Sequence, residues 1–164
     1  MIVQRLNISY LSRAYKMKQT ATKTTWKNQP INNPKRISII MNFTNRQFSK
    51  LTIGLIPQQM EDKWFIFYEN NWLYFHRSWT GFGLYKAQLI KETNGYSIIE
   101  FWAERNNAKY KNEDDNTDIE NISFLIARGL LGIDVRKIYE AKNTKSEMDV
   151  IKSWSFFGRL LITN

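Results

Sequence analysis

The chain contains no cysteine. That excludes a disulfide framework, a thiolate metal site and a thiolate nucleophile. Histidine occurs once, so any metal site would have to be rich in carboxylates. Neither a metal nor a cofactor is expected. No apolar run approaches the roughly 18 residues that a membrane span needs. We therefore expect a soluble, cytoplasmic protein with no membrane partner. Acidic residues are missing from the front of the chain: residues 1–60 hold ten Lys or Arg and no Asp or Glu. The other fourteen basic residues and all fifteen acidic ones lie in 61–164, for a net of −1 there. The overall charge of +9 thus belongs to the front. Such a distribution argues against a simple nucleic-acid surface on the folded part.

At 164 residues and 43% hydrophobic content, there is material for one domain with a buried core. The stretch "KQTATKTTWKNQPINNPKR" shows neither helical nor alternating period. Residues 1–40 accordingly read as a basic, unfolded arm, and 41–164 as a single domain. The arm has three explanations: a polyanion binder, a targeting peptide, or translated upstream sequence with a working start at Met41 or Met60. The last is favoured, because packing signals begin after Met41. There "NFTNRQFSKLTIGLIPQ" offers Asn or Thr as a helix cap, then apolar residues, then Gly and Pro as a stop.

Thirteen of the 24 aromatic residues fall within 62–102. Four strand-like runs, "KWFIFYE", "WLYFHRSW", "FGLYKAQLIKE" and "YSIIEFWAE", are separated by Asn70-Asn71, Thr80-Gly81 and Asn94-Gly95. These pairs read as tight turns and the whole as a four-stranded antiparallel meander. With two-residue turns throughout, Phe65, His76, Tyr85 and Glu104 form one row across a face. Phe67, Tyr74, Ala87 and Trp102 form the next. A one-residue slip at Thr80-Gly81 would dissolve both rows.

The second half reads as helical. Thr117 and Glu120 have capping-box spacing, and Ile119, Ile122, Leu125, Ile126 and Leu130 recur at helical period over 117–130. The acidic group Glu113, Asp114, Asp115 and Asp118 suits a helix N-terminus. As a cation site it lacks EF-hand spacing. A second amphipathic helix is expected over 146–158, and a short one within "DVRKIYEAK". The fold class is therefore α+β, with the meander packed by two or three C-terminal helices.

Two constellations carry chemistry. His76 beside Glu104 and Tyr85 has the make-up of an acid/base site, since a carboxylate orients an imidazole and raises its pKa. A half-buried structural histidine is the plain alternative. The stretch "HRSWTG" has the make-up of an anion site. Arg77 supplies a fork of donors, Ser78 and Thr80 hydroxyls, and Gly81 a turn with converging amides. Arg105 adds a second cation, and Trp102 completes the ligand-binding candidates. A hairpin end with a solvated arginine is the plain reading. Tyr68, Trp72, Tyr74 and Trp102 would also suit single-stranded nucleic acid, with the near-neutral charge beyond residue 40 against it.

Taken together, "MEDKWFIFYENNWLYFHRSWTGFGLYKAQL", "EFWAERN" and "FLIARGLLGID" resemble a family of small uncharacterised bacterial proteins over roughly residues 45–160. The resemblance implies a compact bacterial cytoplasmic domain and attaches no activity, cofactor or site. The leading expectation is a small domain that binds a nucleotide or another phosphate-bearing small molecule at the His76–Gly81 turn. Alternatives are an acid/base enzyme using His76 and Glu104, or a module for a protein partner of immunity or antitoxin type. Nucleic acid ranks below these.

Overall fold

A computed structural model describes residues 18–134 and 156–161. One antiparallel sheet contains β1 (Pro34–Phe43), β2 (Trp64–Glu69), β3 (Trp72–Arg77), β4 (Gly83–Gln88), β5 (Ile90–Glu92) and β6 (Gly95–Glu104). The spatial order is β1-β6-β4-β3-β2, with β5 paired to β6. Helix α1 (Asn45–Leu51) follows β1. Helix α2 (Asp115–Phe124) follows β6 and continues as a π-helical segment, Leu125–Leu130. The class is α+β and the meander β2-β3-β4-β6 is present, but the sheet has six strands, not four.

The largest difference from the sequence reading lies at the front. The boundary expected at residue 41 falls inside β1, whose full length pairs with β6. Within "PKRISIIMNF", Ile37, Ile39, Met41 and Phe43 turn inward while the residues between them are exposed, a period of two. Residues 18–33, expected in an unfolded arm, are packed as well. Ala21 is buried, and its amide donates to the Ile53 carbonyl at 2.8 Å. Gln29 donates to the Gly81 carbonyl at 2.8 Å and accepts from the Gly83 amide at 3.0 Å. A chain starting at Met41 would lose most of β1 and this whole layer.

Registers follow the expected count only in the first hairpin. Asn70 and Asn71 both have positive φ, 51° and 68°, as a tight turn between twisted strands requires. Phe65 then faces His76, and Phe67 faces Tyr74. At the next corner a bulge between Phe75 and His76 shifts the pairing, so Tyr85 faces Phe75 while Gly83 faces His76. The last hairpin turns on Thr93-Asn94, since Glu92 pairs with Gly95. Tyr85 thus meets Ala103, and Lys86, not Ala87, meets Trp102. Both expected rows are broken, and Tyr85 joins the opposite face from His76.

That opposite face carries Trp64, Ile66, Leu73, Phe75, Tyr85 and Phe101, which form the main core with Ile122, Leu125 and Ile126 beneath α2 and its continuation. Phe65 and Phe67 form a smaller core on the His76 face, covered by Ala21. Helix α1 is closed by a Thr44–Gln47 capping box and packs Phe48 flat on Tyr96, centroids 3.6 Å apart. Helix α2 begins three residues earlier than its expected box, because Asp114 caps it by accepting from the Asn116 and Thr117 amides. The helix expected over 146–158 lies outside the described residues except Phe156–Gly158, where Phe157 packs on Phe124 at 4.3 Å. The helix expected in "DVRKIYEAK" lies outside them except for Asp134. Among the described residues no helix is long and apolar enough to cross a membrane.

Candidate functional site

The β3–β4 corner is a four-residue loop closed by two backbone bonds. Arg77 donates to the Phe82 carbonyl at 2.9 Å, and Gly81 donates to the Arg77 carbonyl at 2.8 Å. Gly81 has φ +78°, and a β-carbon there would lie 3.2 Å from the Lys27 carbonyl oxygen. Conformation and the passing chain both call for glycine. Trp26 reaches in from that same segment, its indole N–H donating to the Ser78 carbonyl at 2.8 Å. The loop is therefore shaped by residues 26–29 as much as by its own sequence.

The acid/base pair does not assemble. His76 is 4% exposed and packs on the Phe65 and Phe67 rings. Its Nδ1 lies 3.1 Å from the Gly81 carbonyl. Burial lowers its pKa to about 4, against the opposing pull of hydrogen bonds to the Gly81 and Gln29 carbonyls, so the ring is neutral at pH 7. Among the described residues no hydrogen bond or ion pair joins it to Glu104. Glu104 is fully buried and accepts from four amides: Asn32 (2.8 Å), Asn33 (2.9 Å), Asn106 (2.9 Å) and Arg105 (3.0 Å). Burial alone would raise its pKa; the four amides outweigh it and hold the carboxyl below the usual value. The carboxylate ties residues 32–33 to the end of β6, a structural task.

Tyr85 and Arg105 meet in a different place, under α2. The Tyr85 and Tyr110 hydroxyls lie 2.6 Å apart, and each lies 2.8 Å from Asp118 Oδ1. Two phenolic protons are thus shared among three oxygens, and burial raises the pKa of both phenols. Arg105 Nη2 donates to Asp118 Oδ2 at 2.7 Å and to Asp115 Oδ1 at 2.9 Å. Asp115 also pairs with Lys35 at 2.8 Å. The acidic residues that open α2 are answered by cations and hydroxyls, and among the described residues no cluster of carboxylates and histidine is arranged for a metal.

The ligand-binding candidates divide. Arg77 donates to the Phe156 carbonyl at 2.6 Å and lies over the Trp64 and Phe156 rings. Burial lowers its pKa to about 10, which leaves it cationic at neutral pH. The Ser78 hydroxyl donates to the Asp62 carbonyl at 2.6 Å, so its proton faces inward. Thr80 Oγ1 accepts from the Phe82 amide at 3.2 Å. The Gly81 amide is engaged inside the loop, so no converging nest of amides forms. Trp102 is remote, packed on Trp72 with Lys86 over both rings. Tyr74 stacks on Phe67, and Tyr68 turns to the α1 side against Phe48.

Beside the loop lies a cleft of about 270 Å³. Arg77, Ser78 and Thr80 line it as expected, together with Trp79 and Phe82. Two further cations enter from elsewhere. Lys63, at the start of β2, sits 4.0 Å from the Trp79 ring centroid, and Lys109, after β6, sits 5.1 Å from that of Phe82. Among the described residues no carboxylate lines this cleft. Nothing local in the sequence marks Lys63 or Lys109; only the folding of the sheet brings them to the loop. Comparison with protein-family models, with curated proteins and with solved structures returned no match for this chain.

Proposed function

We propose that this protein binds a small phosphate-bearing ligand in the cleft at the Arg77–Phe82 loop. The observation that supports it is the lining: Lys63, Arg77 and Lys109 line the cleft with Thr80, and among the described residues no acidic side chain does. Such a group attracts a dianion and repels cationic competitors. At about 270 Å³ the cleft is smaller than the roughly 300–1,000 Å³ of sites for drug-sized ligands. It accommodates a phosphate with a short stem. A cytoplasmic setting, where such metabolites are made, suits this reading. His76 and Glu104 do not line the cleft, so acid/base chemistry draws no support from it.

The test is thermal unfolding of the full chain with inorganic phosphate, a sugar phosphate or a nucleoside monophosphate. A ligand at a hundred times its Kd adds about 2.7 kcal/mol. That raises Tm by several degrees. Lys63→Gln and Lys109→Gln should each diminish the rise. No shift with any of the three, or shifts unaltered in both variants, would refute the reading.

A further inference from the structure

We propose that the surface under Phe156–Leu160 is a peptide-docking groove, occupied here by the chain's own segment. Its outside partner is a protein whose peptide repeats the same order: two aromatics, a glycine, an arginine and a large apolar residue. The proposal is independent of the phosphate reading at the loop.

Much of the hold is on main chain. The Trp64 indole donates to the Phe156 carbonyl at 2.8 Å, and Arg77 donates to the same oxygen at 2.6 Å. Arg128 Nε donates to the Leu160 carbonyl at 3.2 Å. The Arg159 amide donates to the Glu61 carbonyl at 3.0 Å, beside an antiparallel bridge between Asp62 and Gly158. These contacts recognise the path of a peptide backbone, whichever molecule supplies it.

Side chains add selectivity. Phe157 is buried and packs on Phe124, centroids 4.3 Å apart, while Phe156 meets Trp64 edge-on at 5.0 Å. Gly158 has φ +60°, and a β-carbon there would collide with the Glu61 carbonyl oxygen. Conformation and space both demand glycine. Arg159 donates to the two Asp62 oxygens at 2.7 and 3.0 Å. Asp62 is set for this by its own loop, where the Gln58 and Gln59 amides donate to Oδ2 at 2.7 and 3.2 Å. The carboxylate is thus positioned by groups outside the segment.

The segment does not fill its groove. A cleft of about 750 Å³ remains beside Leu160, bordered by Leu55, Ile56, Trp64 and Gly129. An element sealed into a core would leave no such space, because protein interiors are close-packed. A partner residue larger than leucine fits there.

The test uses the full chain and a labelled peptide, FFGRLL, which copies residues 156–161. The resident segment competes with it, so the apparent Kd is the intrinsic one divided by the fraction of open grooves. Arg159→Glu sets a carboxylate against Asp62, and Gly158→Ala sets a methyl against Glu61. Each displaces the resident segment and leaves the groove's own residues intact. By anisotropy, the peptide should bind each variant about tenfold more tightly than the wild-type chain. It should also raise the Tm of the variants and leave that of the wild type unchanged. A peptide with alanine in place of its glycine should not bind. One with tryptophan in the Leu160 place should bind about fivefold more tightly than FFGRLL, through the added apolar burial.

If neither variant binds the peptide while circular dichroism shows both folded, the groove is refuted. Equal affinity for the alanine peptide refutes it too, since the Glu61 collision would then not operate. Should both variants unfold, the tryptophan peptide on the wild-type chain decides, and no binding up to roughly 1 mM refutes the groove. If sedimentation shows a wild-type dimer that Gly158→Ala abolishes, the occupant is a second copy and the separate partner is overturned.

Discussion

The cluster around Asp118 and the cleft at the Arg77–Phe82 loop both gather charge, and they treat it in opposite ways. Under α2, a fully buried carboxylate is matched by Arg105, two phenols and the Asn112 amide, which donates at 3.0 Å. Charge balances inside the cluster, where Asp115 and Asp118 face Lys35 and Arg105, although the buried Arg105 Nε has no hydrogen-bond partner among the described residues. At the loop, three cations line an open cleft, and no carboxylate of the described residues lines it. A charge removed from water costs several kcal/mol unless paired, so balance is what a buried structural cluster requires. Like charges held together in reach of solvent gain nothing for stability. They make a surface ready for an anion. The comparison separates residues that hold the fold from residues proposed to meet a ligand.

The most severe way to break the balance is Asp118→Ala. It strands Arg105 without its closest partner and leaves two buried phenols with one acceptor fewer. We expect a loss of about 3–5 kcal/mol, read from the urea midpoint. A loss below about 1 kcal/mol would show that the cluster does not anchor α2.

Acidification should act next most strongly, through His76. Its folded pKa of about 4 lies below the ordinary 6.5, so between these values the unfolded chain binds a proton that the folded one does not. Stability is then complete above pH 6.5 and falls as pH drops toward 4, by at most about 3 kcal/mol. Glu104, its carboxyl held below the usual value, gives up its contribution at still lower pH. His76→Gln should flatten the pH 4–6.5 segment in urea titrations and leave the acid limb. An unchanged profile would mean that the imidazole is not buried neutral.

The smallest effect is expected at the loop. Lys109→Gln should change stability by less than about 0.5 kcal/mol, since it removes an unbalanced surface charge. If it destabilised the fold like Asp118→Ala, the contrast between the two regions would disappear. Arg77→Ala is a poor probe by comparison, because Arg77 also bonds the Phe156 carbonyl and packs on Trp64.

The sequence was readable wherever a local signal agreed with the final contacts. Asn70-Asn71 closes its hairpin with both residues at positive φ, and the β2–β3 register follows. The apolar period of 119–130 marks the helical segment that covers the main core. The Thr80-Gly81 corner was misread because its loop holds four residues and is shaped by Gln29 and Trp26, which a local reading does not see. One misplaced turn moved Tyr85 to the other face, since side chains alternate with period two. The β1 alternation was present in "RISIIMNF", but the basic, acid-free composition around it favoured an arm.

Taken alone, the sequence determined the α+β class, the meander, the tight first hairpin and the basic front, because these depend on neighbours within a few residues. Only the tertiary structure decided that the front is packed, that Glu104 anchors it, and that Lys63 and Lys109 line one cleft with Arg77. Those depend on which distant segments the sheet brings side by side, and no local period encodes that.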